Sequence, residues 1–224
     1  MTTWIDADYQ GGRLPTGAQV GELWTAVQPT AAEGGTGSAA VRVLHVATPT
    51  IRPREMTERV RKALDDGAPP VIRLSPGRVG HRYPLEDWTL APLPALCERE
   101  GWALAVDYGA DADARLGELA CFAGSAPEVA VLLLGNLVDE LSGVWRLLDR
   151  CPNVLVQLLP GVEAAVCVAA CNEFGAHRFV YGSGGRAAGP IETLAESLDE
   201  LTRTAVFADN ARLLDDCSWR DTYL

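Results

Sequence analysis

Short apolar runs, hydrophobic at consecutive positions, alternate along this chain with segments whose apolar residues recur every three to four positions. The run Ala40–Ala47 leads into Arg52–Asp66, where Pro53 suits a first helical position and Gly67 a C-terminal cap. Val71–Leu74 leads to Leu90–Glu100, Ala103–Tyr108 to Asp111–Phe122, and Asn153–Leu158 to Glu163–Phe174. Val129–Leu134 leads to a helix with Leu141, Val144, Trp145 and Leu148 on one face. Arg178–Tyr181 leads to Pro190–Leu201, whose Ile191, Leu194, Leu198 and Leu201 are expected to face inward.

Strands that are apolar on both faces are what a buried parallel sheet requires. These strands begin about 24 to 32 residues apart, the repeat of a strand–helix unit, and six such units follow residue 40. Trp4–Asp8 and Leu23–Gln28 supply two more strands. The segments 11–20 and 30–39, punctuated by glycine and proline, leave little room for helices between them. The pattern predicts an α/β protein, a (β/α)8 TIM barrel with its first two helices shortened, as a single domain over residues 1–224. A doubly wound open sheet is the alternative.

Charge narrows the choice of partners. The net charge of −11, with no cluster of Lys and Arg, argues against nucleic acid and anionic membranes. The longest apolar runs fall far short of the ~20 residues that span a bilayer. No basic leader followed by an apolar stretch opens the chain, so a cytoplasmic location is expected. Six cysteines without Cys-x-x-Cys spacing read as reduced thiols, with Cys167 and Cys171 as small residues on one helix face.

In such a barrel the chemistry gathers where the strands end. That rule selects Asp8 and Gln10 after the first strand and Gln28 after the second. It continues with His45 and Thr48, Arg73 and Ser75, then Asp107 and Tyr108. Gly135 with Asn136, Gln157, and Ser183 with Arg186 complete the set. Asp8 and Asp107 are expected as a like-charge pair across the mouth, so that Asn at either position is neutral or stabilising.

Several segments, in order, resemble the amidohydrolase superfamily of metal-dependent TIM-barrel hydrolases. Ile5-Asp6-Ala7-Asp8-Tyr9-Gln10-Gly11 is similar to the family's opening Ile-Asp-x-His-x-His, with Asp8 and Gln10 at the histidine positions. Asp107, in Ala105-Val106-Asp107-Tyr108-Gly109, stands where a ligand histidine ends a strand; the next such position falls on Leu134 or Gly135. Gly182-Ser183-Gly184 resembles the closing Gly-Ser-Asp, with Gly184 in place of the aspartate. Cys151-Pro152-Asn153 and the Asn210-Ala211-Arg212-Leu213-Leu214 helix also match. The resemblance implies a barrel whose metal positions (Asp8, Gln10, Asp107, Gly184) are degenerate.

Zinc wants about four nitrogen, sulfur or oxygen donors and an open position for water. The expected reading is therefore a barrel without the metal centre, either a non-catalytic binding or partner subunit or a metal-free enzyme for a small polar ligand. Candidate catalytic groups are Asp8, Asp107 and His81, the last in the loop after the fourth strand. Arg73, Tyr108, Asn136, Gln157, Ser183 and Arg186 are the expected ligand-binding residues. His45 and His177 read as structural. No cofactor is expected; the alternative is a divalent metal at Asp8 and Asp107, serving a hydrolase or decarboxylase. A further alternative is phosphate or phosphosugar binding at Gly184-Gly185-Arg186. An oligomer, with itself or with a related barrel, is an expected partner state.

Overall fold

The strand at Ala103–Asp107 carries four fully buried residues in a row before its terminal carboxylate, and that arrangement sets the plan of the chain. The computed structural model describes residues 4–6, 20–25, 40–49, 52–77, 82–109, 112–135, 141–159, 162–182, 184 and 189–224. The predicted short connections 11–19 and 30–39 lie outside them. The strands are β1 Trp4–Asp6, β2 Val20–Thr25, β3 Ala40–Val43, β4 Val46–Ala47, β5 Val71–Leu74, β6 Ala103–Asp107, β7 Val131–Leu134, β8 Val154–Leu158 and β9 Phe179–Tyr181. Strands β1, β2 and β3 form one parallel sheet, and β4 through β9 form a second, six-stranded parallel sheet in sequence order.

Between them run α1 Pro53–Asp65, α2 Asp87–Leu90, α3 Leu93–Glu100, α4 Ala112–Ser125, α5 Leu141–Arg150, α6 Ala164–Phe174, α7 Gly189–Ser197, α8 Glu200–Thr204, α9 Asn210–Asp215 and α10 Trp219–Tyr223. The strand–helix alternation that the hydrophobic pattern predicts is therefore present. Three predicted elements are divided, one of them Pro190–Leu201, which breaks between α7 and α8. The run Ala40–Ala47 splits into β3 and β4, which pair in different sheets. The helix expected over Leu90–Glu100 is interrupted at Ala91-Pro92 and becomes α2 and α3. Helix α1 ends as its sequence suggests: the Gly67 and Ala68 amides donate to the carbonyls of Leu64 and Ala63, the paired bonds of a Schellman cap.

By its internal contacts the chain divides into two units, Met1–Leu44 with Val156–Arg212, and His45–Leu155 with Leu213–Leu224. In the second unit, the buried Asn153 donates its side-chain amide to the carbonyls of Ala123, Ala126 and Val129 at 2.9–3.1 Å. Those carbonyls belong to the end of α4 and the turn into β7, which no strand partner could satisfy. In the first unit, buried Asn210 donates to the carbonyls of Ala176 and Phe179, both at 2.8 Å. It ties the terminal helix to the start of β9, where Phe207 also packs on Tyr181 with ring centroids 5.0 Å apart. The residues Ala205–Asp209 just before Asn210 widen to a π-helical turn. Among the described residues no helix is long and apolar enough to cross a membrane.

One expected core position is corrected. Leu201 is 84% exposed, whereas Leu194 and Leu198 are buried. The cause is a helix break: Asp199 caps a new helix, its carboxylate accepting from the Thr202 amide at 3.0 Å and from the Thr202 hydroxyl at 2.7 Å. Restarting the helix rotates Leu201 out of the face that α7 presents. Leu198→Ala should therefore cost about 2–3 kcal/mol of unfolding free energy. Leu201→Ala should change it by less than about 0.5 kcal/mol. Denaturant titration of the two variants checks this, and equal losses would restore the single-helix reading.

Candidate functional site

A parallel pair of strands places register partners on the same face, and residues two apart along one strand share that face. Arg73 in β5 pairs in register with Ala105 in β6, so it lies on the same side as Asp107 two residues further along. Ala105 offers only a methyl group between them. The Arg73 guanidinium reaches along the sheet toward the strand ends and donates to Asp107 Oδ2 at 2.5 Å. The Arg73 side chain is 5% exposed and that of Asp107 23%. Its strand neighbours Val71, Ile72 and Leu74 are fully buried. A charge sunk this deep requires a counter-charge, and Asp107 supplies it.

The other Asp107 oxygen, Oδ1, accepts the Gly109 amide at 2.9 Å, so both carboxylate oxygens are engaged. Gly135, at the end of β7, lies beside the same carboxylate: a Cβ there would stand 3.8 Å from Oδ1. Three adjacent strand ends thus converge on one carboxylate, with a cation on one side and no side chain on the other. This is the constellation that the rule of strand ends picked out residue by residue. The pairing of Arg73 with Asp107 was not anticipated. It sets a cation beside Asp107; the expected like-charge partner, Asp8, lies outside the described residues.

Tyr108 turns to a different task. Its ring is buried, with the Arg115 guanidinium 4.6 Å from the ring centroid. Arg115 also holds Glu118 through two hydrogen bonds, at 2.6 and 2.8 Å, and the Tyr83 carbonyl at 2.8 Å. Glu118 in turn accepts the Leu85 amide, and the Tyr83 hydroxyl accepts the Ser75 amide. Burial pushes the Tyr83 phenol up to about 12. Burial, followed by the Glu118 charge, raises that of Tyr108 further. Gly77 closes the cluster: a Cβ there would stand 2.1 Å from the Tyr108 carbonyl oxygen, so only glycine fits. The two ends of the loop after β5 are thereby stitched to α4, and the middle of that loop, with His81, lies outside the described residues. The only sequence sign of this cluster is the i, i+3 spacing of Arg115 and Glu118, which is common on exposed helices.

Of the remaining candidates, Gln157 is buried in the middle of β8, in register with Val180. Gln10, Asn136, Ser183 and Arg186 lie outside the described residues. His45 is half-buried, and burial followed by the charge of Arg59 lowers its pKa. Its carbonyl accepts the Arg73 amide at 2.8 Å. Cys167 and Cys171 are buried on α6, where burial raises their thiols to about 11 and about 12. They are inert at neutral pH.

The metal implied by the family resemblance can be tested against these donors. Asp107 is committed to Arg73 and to the Gly109 amide. Leu134 is buried and apolar, and Gly135 has no side chain. Gly184 sits in a turn at φ +57°, a left-handed backbone rather than a strand end. Among the described residues no three His, Cys, Asp or Glu side chains gather where they could hold a metal ion. These residues do not fit the metal centre.

The pair carries a stability consequence opposite to that of a like-charge dyad. Asp107→Asn removes a carboxylate that faces the buried Arg73 guanidinium and should cost about 3 kcal/mol. Removing both charges, as Arg73→Met with Asp107→Asn, should cost less than the sum of the single changes. A double-mutant cycle by chemical denaturation measures the coupling, and a stabilised Asp107→Asn would refute the pairing.

No protein-family model matches this sequence, and no curated protein matches it. Solved structures do match it in fold. An uncharacterised TIM-barrel protein from Bordetella bronchiseptica is 17% identical, with a TM-score of 0.67 over 89% of this chain and 79% of that one. An amidohydrolase from Burkholderia multivorans, solved with bound zinc, is 16% identical, with a TM-score of 0.61 over 88% of this chain and 84% of that one. The 2,6-dihydroxybenzoate decarboxylase from Rhizobium is 12% identical, with a TM-score of 0.63 over 96% of this chain and 99% of that one. At this level of identity the likeness establishes architecture: the chain has the fold of the amidohydrolase-type TIM barrels.

Proposed function

We propose that this protein is an amidohydrolase-fold barrel that works without the family's metal, binding a small polar ligand at the strand ends around Arg73 and Asp107. The observation that carries this reading is the ion pair itself. Two unit charges about 4 Å apart in a partly screened site interact by roughly 4 kcal/mol. A divalent ion bound to Asp107 at that distance from the guanidinium would meet about twice that repulsion. The partial exposure of Asp107, set against the burial of Arg73, makes the carboxylate the group that a ligand reaches. Its acceptor oxygens suit hydroxyl and N–H donors. With the charge of Arg73 beside it, the pair as a whole is neutral and favours polar over strongly ionic ligands.

The structural neighbours include a zinc-bound amidohydrolase and decarboxylases, and they keep a second reading in view: metal-dependent hydrolysis or decarboxylation. Metal analysis of protein purified without chelator separates the two. Well under one equivalent of zinc, manganese or iron is expected, because the donor set is too sparse. Stoichiometric transition metal that survives dialysis would overturn the metal-free reading in favour of the second.

A further inference from the structure

Resting on the metal-free reading, we propose that Arg73 is the residue that determines it: its guanidinium takes the place of a metal ion as the positive charge on Asp107, so that a side chain closes the site to divalent cations. Three observations support this. Arg73 is a charged residue in a strand whose other members are fully buried, a placement that costs stability unless the charge has a fixed partner. The register that puts Arg73 beside Ala105 carries its side chain toward the end of β6, so the guanidinium lands on the carboxylate where the resemblance expects a ligand. Gly135, whose Cβ position lies 3.8 Å from the Asp107 Oδ1 atom, brings no side-chain donor to that carboxylate. Arginine suits this role better than lysine, since its planar fork holds its charge in any environment and is less strongly hydrated.

The inference differs from a plain loss of ligands in what it predicts for one substitution. If missing donors alone exclude the metal, neutralising Arg73 changes nothing. If Arg73 itself excludes cations, its removal leaves Asp107 as an uncompensated, half-buried carboxylate that recruits one. Mn²⁺ is the appropriate probe, because oxygen donors suit it and its free-ion EPR signal is lost on binding. Arg73→Met, which keeps the bulk of the stem, should bind Mn²⁺ about tenfold more tightly than the wild type or better. The gain should vanish in Arg73→Met with Asp107→Asn. Arg73→Gln, retaining a neutral donor toward Asp107, serves as a second variant. Should either fold poorly, the folded yield as a function of Mn²⁺ reads the same linkage and should rise with the ion.

Equal Mn²⁺ affinity in wild type and both Arg73 variants, or a flat folded yield, would reduce the pair to a structural salt bridge and overturn the inference. A gain that persists without Asp107 would place the binding elsewhere and overturn it equally. Neither result touches the metal-free reading, which falls only if the wild type itself carries tightly bound metal.

Discussion

A buried arginine cannot be left without a counter-charge, and in this protein that constraint organises the ends of three neighbouring strands. Arg73 is embedded in β5 among fully buried aliphatic residues, so its guanidinium has to be met within the protein. Parallel register with β6 presents Asp107 on the correct face, one turn of the pleat beyond Ala105. Gly109 donates its amide to the second oxygen of that carboxylate, and Gly135 at the end of β7 lies beside the same oxygen without a side chain. An interaction demanded by burial thus also fixes the position of Asp107, a partly exposed ionised group at the end of β6. Structure and site are the same set of contacts here, and changing one changes the other.

Elsewhere the fold is held by polar side chains doing what strands cannot. A parallel sheet leaves carbonyls unsatisfied wherever a helix hands over to the next strand. Asn153 donates to three carbonyls at the end of α4 and the turn into β7, and Asn210 to those of Ala176 and Phe179 at the start of β9, adding side-chain bonds where the backbone turns. Both asparagines are fully buried, and both sit in motifs that the family resemblance shares, Cys-Pro-Asn and Asn-Ala-x-Arg-Leu-Leu. Shared motifs of this kind therefore report architecture. Hydrogen bonds from a buried amide to backbone carbonyls serve the fold whatever the site does.

The order of strands and helices was legible because buried parallel strands are apolar at every position and the helices between them keep a 3.6-residue period. What escaped was set by contacts between elements. Leu201 carries the right period for the inner face of α7, yet Asp199 outcompetes that period by capping a new helix. Ala40–Ala47 reads as one strand, but the chain changes sheets after Val43. At the site, Arg73 and Asp107 could each be chosen as strand-end residues, while their pairing depends on a register that no single strand encodes. The Tyr83, Tyr108, Arg115 and Glu118 cluster was hidden for the same reason, since its members come from a loop, a strand end and a helix.

The contacts of Asp107 and the backbone of Gly184 also bear on what a metal centre at these positions would require. A metal site needs donors converging on one point and a local field that welcomes positive charge. Replacing Asp107 by an imidazole would supply a donor and, in the same step, remove the carboxylate that holds the Arg73 guanidinium at 2.5 Å, setting a buried cation beside the incoming ion. An aspartate at Gly184 would begin from a turn at φ +57°, a backbone that side chains adopt at a cost of about 1 kcal/mol. At the end of β6 the strand-end carboxylate already faces an internal cation, Arg73. For a site of this kind the sign of the charge already present decides what it binds, before the identity of any single ligand position matters.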